Sequence, residues 1–336
     1  MSDQITVAID AMGGDNAPSA PVEGAVLAAR NTQTRILLVG DQVPVEAELN
    51  KHDTEGLEIS VVGSEGKIED SEAPALALRQ KPRSSVLVAT GLVKAGTADA
   101  VISMGSTGGS MAAAVVILGT INGIERPAIG GPIVGSAPNQ TILDLGSNID
   151  CKPSQLLGFG ILGSVFSKVL LNINDPKIGV LSVGSEQSKG NALTKEASSL
   201  FSKSGLNFIG NVEGNDLVKG IADVVVCDGF VGNVLLKLVE GIGTELGHQL
   251  QASLSDKMPP EDLKKLVQEL HSKNNVVDSR GGGPVFGVDG VSIVGHGSAS
   301  PGTFERSVSL ARMCIETRLI EEMNEQVPRV MALASD

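Results

Sequence analysis

The stretch Ala222-Asp223-Val224-Val225-Val226-Cys227-Asp228-Gly229-Phe230-Val231-Gly232-Asn233 puts a strand, a turn and a helix start side by side. Its unbroken β-branched run reads as a strand covered on both faces. Asp-Gly breaks the run as a turn, and a long helix-period stretch follows. The same order recurs along the chain. Ile5–Asp10 leads into Ala11-Met12-Gly13-Gly14-Asp15-Asn16, and Ala98–Met104 into Gly105-Ser106-Thr107-Gly108-Gly109. Thr141–Leu145 leads into Gly146-Ser147-Asn148-Ile149-Asp150, with a helix expected from near Pro153, and Ile178–Val183 leads into the cluster ending Ser188-Lys189-Gly190-Asn191. Further strands are predicted at Arg35–Val39, Leu57–Val62, Leu206–Ile209 and Val291–Val294. Strands alternating with helices imply a Rossmann-like α/β/α fold with a mainly parallel sheet. Neither a sequence repeat nor a dividing linker is visible, so residues 1–336 are expected to form a single domain.

In such sheets ligands bind beyond the carboxyl ends of the strands, where all of these clusters fall. Small residues there let backbone N–H groups approach an anion. The chain holds 41 glycines in 336 residues, and no collagen-like period accounts for an excess over the usual ~7%. A formal charge of −13, with no Trp and no Tyr, argues against a nucleic-acid partner, which needs a basic face and stacking platforms. Cys151, Cys227 and Cys314 lack CxxC spacing and point to a reducing compartment, with neither a disulfide framework nor a zinc site. Asp3 followed directly by a strand pattern leaves no signal peptide in view. The uncharged run Ala100–Ile124 is apolar only from Met111 to Leu118, too short for a membrane span and expected to be buried core.

Several motifs admit two readings. Gly158-Phe159-Gly160-Ile161-Leu162-Gly163 spells a dinucleotide fingerprint but sits inside a helical stretch, so close helix packing is preferred. Lys189 follows a strand end and either neutralises an anion or is a plain surface lysine. Asn233 either donates to a developing oxyanion or caps its helix. Cys227 is expected to be a buried inert thiol rather than a nucleophile. His296 could act as a base or phosphate ligand, or make a structural hydrogen bond. Asp10, Asp144, Asp150 and Asp228 share the strand-end edge, and loop positioning is preferred over metal binding. Arg79, Lys81 and Arg83 lie in an acid-free stretch, Ala73–Ala98, that either docks an acidic partner or forms an ordinary solvated loop. Leu263, Leu266, Val267 and Leu270 form one helical stripe, for the protein's own core, a dimer mate or a membrane surface.

Taken together, Ala8–Pro18, Leu143–Pro153, Lys189–Leu193, Asn207–Val234 and Gly295-His296-Gly297-Ser298 resemble the acyl-acyl-carrier-protein:phosphate acyltransferase family of bacterial phospholipid synthesis, over nearly the whole chain. The resemblance implies the fold of the isocitrate/isopropylmalate dehydrogenase-like and phosphotransacetylase group. It implies a cytoplasmic homodimer without cofactor or metal, which transfers a fatty acyl chain from acyl carrier protein to inorganic phosphate. The acyl phosphate would pass to a membrane glycerol-3-phosphate acyltransferase, with weak peripheral contact at the inner face of the membrane. Family resemblance points to Lys189 and Asn233 as catalytic residues. Gly13, Gly14, Asp15, Ser106, Thr107, Gly108, Asn148 and His296 are the expected phosphate- and thioester-binding set, and Arg79, Lys81 and Arg83 the carrier-docking set. A helical excursion at about 230–280 is expected at the dimer or membrane surface. Two competing readings are a nicotinamide-dependent hydroxy-acid dehydrogenase on a related sheet, and a non-catalytic carrier- or lipid-binding scaffold.

Overall fold

A computed structural model describes residues 4–274 and 276–335; Asp3 lies outside them. The chain divides into two compact units, Met1–Pro127 with Arg280–Glu325, and Ala128–Ser279 with Gln326–Asp336.

The first unit runs β1 (Thr6–Asp10), α1 (Ser19–Thr32), β2 (Arg35–Gly40), α2 (Gln42–Leu49), β3 (Ile59–Gly63), α3 (Pro74–Gln80), α4 (Ser85–Lys94), β4 (Ala100–Ser103) and α5 (Thr107–Ala113). The second continues with β5 (Ala128–Gly131), β6 (Thr141–Leu143), α6 (Pro153–Leu170), β7 (Ile178–Leu181), α7 (Ala192–Lys203), β8 (Phe208–Val212), α8 (Gly214–Leu217), β9 (Val224–Val226), α9 (Gly229–Leu254) and α10 (Pro260–Asn274). After α11 (Val276–Arg280), the chain adds β10 (Gly283–Phe286), β11 (Val291–Val294) and α12 (Pro301–Glu316) to the first unit. It ends in α13 (Leu319–Ser335).

Strand order in the first unit is β3-β2-β1-β4-β11-β10, parallel except for β10 against β11. In the second it is β5-β6-β9-β7-β8, parallel except for β5 against β6. The fold is thus α/β with a mostly parallel sheet. Each strand expected from the sequence is present, shifted or trimmed by up to three residues at its ends. The two strands that sequence reading passes over, Ala-Ile-Gly-Gly and Gly-Pro-Val-Phe, are the antiparallel ones, and their glycine and proline content masks the apolar signal.

The Val224–Val226 run is covered on both faces, as its lack of alternation implies. Val225 belongs to a cluster with Ile142, Leu145, Val212 and Cys227, against which Leu235, Leu236 and Val239 of α9 pack. On the other face lies α6, where a Cβ on Gly163 would run into Val224 and one on Gly160 into the Phe201 ring. The Gly158–Gly163 fingerprint therefore serves close helix packing from the interior of α6. In the first unit Ala8, Leu37, Val39 and Val101 pack on Ala89 of α4.

One expectation needs correction. The Met111–Leu118 segment is not wholly core: α5 gives way to a π-helical turn, Ala114–Leu118, which leaves Val115 36% and Val116 71% exposed. The widened turn rotates these valines outward. The α10 stripe packs in part on the protein itself, the first of its three readings, with Leu266 still exposed. Leu263 is buried, and Val267 meets the α9 backbone at Gly247, where an added Cβ would sit 3.6 Å from Val267 Cγ1. Along α9, by contrast, Phe230, Val234, Leu238, Ile242 and Leu246 repeat every fourth residue, and all are exposed.

Candidate active site

In the second unit, β6, β9 and β7 are parallel neighbours, so the loops that follow them share one edge. The β6 loop is organised by Asp144, whose side chain is fully buried. Its Oδ1 accepts the N–H groups of Ile129 (3.2 Å), Gly146 (3.2 Å) and Ser147 (3.1 Å). Its Oδ2 accepts from the N–H of Asn148 (2.7 Å) and from Asn148 Nδ2 (2.8 Å). Burial pushes this carboxyl up from its ordinary value, and the donors of Ser147, Asn148 and Ile129 pull it back. The arrangement turns a strand end into a fixed platform.

The start of α9 sits on that platform. Gly229 N–H donates to the Asn148 carbonyl (2.7 Å), and a side chain on Gly232 would overlap the Asp144 carbonyl. Asp228 is the helix cap, accepting the Val231 N–H at 2.8 Å. That removes capping from Asn233, which lies one turn further in. The Asn233 side chain is exposed beside Gly146, where an ideal Cβ would stand 3.4 Å from its Oδ1. Asn148 is buried and spends its amide on Asp144, so what it offers the edge is structure. Cys227 is buried, its Sγ donates to the Asp144 carbonyl (3.6 Å), and burial pushes its thiol well above the ordinary range. It is not a poised nucleophile.

Lys189 lies on the β7 loop and is exposed, and among the described residues no carboxylate pairs with it. Its N–H donates to the Glu186 carbonyl (2.9 Å), closing a turn. Asn191 then caps α7, accepting the Thr194 N–H at 2.9 Å. Asn211, not singled out from the sequence, reaches this turn from β8: its Nδ2 donates to Glu186 O (2.8 Å) and Lys189 O (3.5 Å). The strand expected from the sequence stops at Ile209, short of Asn211, so no sequence signal marked this side chain.

The first unit repeats the strand-end pattern. Asp10, buried at the end of β1, accepts from Ser103 Oγ (2.7 Å) and Met12 N–H (3.1 Å). Burial raises its carboxyl, against hydrogen bonds from Ser85, Ser103, Met12 and Gly13. Gly13 is buried between Asp10 and Gly105, where a Cβ would lie 2.7 Å from Asp10 Oδ2 and 2.8 Å from Gly105 N. Gly14 adopts φ 101°, and Asp15 N–H donates to Gly297 O at 2.7 Å. The Gly13–Asp15 loop and the His296 loop are therefore brought together at the ends of β1, β4 and β11. Ser106 caps α5 by accepting the Gly109 N–H (3.3 Å), with Thr107 and Gly108 exposed after it. Asp10 and Asp144 spend both oxygens on neighbouring protein donors and Asp228 caps α9, and among the described residues no group of acids, histidines and cysteines could hold a metal ion.

Isolation in sequence is not isolation in space for the basic stretch. Lys81 pairs with Glu72 (2.6 Å) and Arg83 with Glu65 (2.8 Å). Arg79, exposed on α3, is the cation of the three that has no ion pair among the described residues.

Residues 5–322 match the family model described as "Fatty acid synthesis protein". The chain is 42% identical over 328 residues to a phosphate acyltransferase of Pelotomaculum thermopropionicum, covering 96% of this chain and 95% of that one. It is 40% identical to a phosphate acyltransferase of Geotalea daltonii, over 97% of this chain and 96% of the other. Among solved structures, a phosphotransacetylase from Streptococcus pyogenes superposes with a TM-score of 0.56 at 17% identity, over 94% of this chain and 95% of that one, a likeness of fold.

Proposed function

The chain belongs to the phosphate acyltransferase family, and we propose from that membership that it draws its acyl group from acyl carrier protein and works through Lys189 and Asn233. It is an acyltransferase of fatty acid and phospholipid synthesis that moves an acyl group to phosphate. A phosphate oxygen attacks the thioester carbonyl carbon, and a C–O bond forms as the carbonyl oxygen becomes an oxyanion. Collapse breaks the C–S bond, and the carrier's thiolate leaves and takes up a proton. No protein nucleophile is required. The chain must hold two reactants together, neutralise phosphate and donate to the oxyanion.

The observation that carries this assignment is the pairing of an exposed Lys189, on an anchored turn after β7, with an exposed Asn233 amide after the adjacent β9. Lys189 holds phosphate and Asn233 meets the oxyanion. Asn148 supports the same edge, and Gly13, Gly14, Asp15, Ser106, Thr107, Gly108 and His296 bind substrate by the same chemistry at the edge of the first unit. Arg79, with Lys81 and Arg83 behind their acidic partners, meets the acidic carrier. The dehydrogenase reading lacks its phosphate loop, since the fingerprint glycines are buried within α6.

We further propose a homodimer, supported by the apolar line on α9, that works in the cytoplasm and touches the inner membrane face weakly beside a glycerol-3-phosphate acyltransferase. No helix among the described residues is long and apolar enough to cross a membrane. The test is formation of hydroxylamine-trappable acyl phosphate from acyl carrier protein thioester and phosphate. Lys189→Ala should raise KM for phosphate or lower kcat by roughly ten- to a hundredfold, as for a lost charge-assisted contact. Asn233→Ala should lower kcat ~10²–10³-fold. Wild-type kinetics in either variant would remove that residue from the mechanism.

A further inference from the structure

A lysine on a surface loop is a poor anchor for phosphate unless its backbone is held, because its long side chain already has many rotamers. The loop from Ser182 to Asn191 is rich in serine and glycine, which favours mobility. Its start is tied to β8 by Ser182 N–H donating to Val212 O (2.8 Å), and its end by the Asn191 cap. Between these points the Lys189 N–H to Glu186 O bond leaves the carbonyls of Glu186 and Lys189 pointing to one side of the turn. The Asn211 amide lies there, with Nδ2 2.8 Å from one carbonyl and 3.5 Å from the other. Both partners are acceptors, so the nitrogen rather than the oxygen must face them, and its two hydrogens can serve both.

We propose that Asn211 is a positioning residue for Lys189, a clamp that sets where the ammonium group meets phosphate. The inference rests on the reading of Lys189 as the phosphate-holding cation. Asn211 sits opposite Val180 in the β7–β8 ladder, so the clamp is borne by a paired strand rather than by another loop. Few side chains fit the place: serine offers one donor, and aspartate would set oxygens against two carbonyls. Gly184 leaves room for the lysine stem, since a Cβ there would lie 2.8 Å from Lys189 Cγ.

The test is a kinetic cycle on the full chain with Asn211→Ala, Asn211→Asp, Lys189→Ala and the double variant Asn211→Ala/Lys189→Ala. Loss of a neutral hydrogen bond of this kind corresponds to roughly three- to tenfold. Asn211→Ala should therefore raise KM for phosphate roughly three- to tenfold while leaving KM for the acyl donor within about twofold. Asn211→Asp, which keeps the shape, should do at least as much damage. In the Lys189→Ala background the Asn211 substitution should add less than about twofold, because the group it positions is gone. An unchanged KM for phosphate in both Asn211 variants, or a penalty as large without Lys189 as with it, overturns the clamp. If Lys189→Ala itself behaves as wild type, the reading of Lys189 fails first and the clamp falls with it.

Discussion

Gly229→Ala tests whether the seat of α9 matters to the chemistry. The first residue of α9 is buried, and an added Cβ would lie 2.7, 2.9 and 3.0 Å from the O, N and C atoms of Asn148. Ordinary contact begins near 3.4 Å, so the two backbones must part by roughly half an ångström. Neither yields easily: Asn148 is held by two bonds to Asp144, and α9 by the Asp228 cap. Overpacking of this kind costs ~1–3 kcal/mol, offset by up to ~1 kcal/mol from replacing glycine in a helix. With the full offset a net loss of up to ~2 kcal/mol remains, which lowers Tm by up to several degrees at ~2–4 °C per kcal/mol. Asn233 lies one turn along and moves with the helix. Since a misplacement of about 1 Å can cost ~10²-fold, half that shift should lower kcat roughly tenfold. Acyl phosphate trapping and a thermal melt read both effects, and in the Asn233→Ala background the kinetic penalty should nearly vanish. Wild-type kcat in Gly229→Ala, or an equal penalty without Asn233, would refute the seat as the device that aims this amide.

Cys227→Ala should keep most activity, since the thiol is buried and held protonated; an acyl thioester trapped on Cys227 would overturn direct attack by phosphate. Arg79→Glu should weaken use of the acidic carrier and flatten its salt dependence more than Lys81→Glu or Arg83→Glu does, with a small acyl thioester unaffected. Leu238→Glu/Ile242→Glu should convert a dimer to monomer in light scattering, and an unchanged mass would show that this exposed line is not the contact. Asp10 is buried with its carboxyl above the ordinary 3.8, so the folded state binds the proton more tightly than the unfolded one. Its contribution is thus fully present below pH 3.8 and is lost as pH rises through the raised value. Wild type should lose stability relative to Asp10→Asn as pH rises above about 4 in paired melts, and a pH-independent difference would show that Asp10 does not titrate in the folded protein.

The parallel strands were legible because burial on both faces removes alternation, and a run such as Val224–Val226 admits little else. Their turns were legible because each must end in residues that tolerate close backbone approach, as Gly13 and Gly229 do. The antiparallel strands were not, since their signal is carried by pairing across space rather than by composition. Charge was the least legible property. Lys81 and Arg83 look isolated along the chain, yet their partners Glu72 and Glu65 come from the loop before α3. Asn233 presented two uses, and the placement of Asp228 at the cap removes one of them.

Buried and exposed ionisable groups differ in what they have left to bind. Asp10 and Asp144 are buried, and their oxygens are occupied by hydroxyl, amide and backbone donors, so they shape loops and have little left for a ligand. Lys189 is the reverse: its backbone is tied and its ammonium is exposed. A buried cation would shed its charge or demand a permanent partner, and a permanent carboxylate would compete with phosphate. An exposed cation on a held turn binds a dianion reversibly, and reversibility is what a transferase needs, because the product that leaves still carries the phosphate.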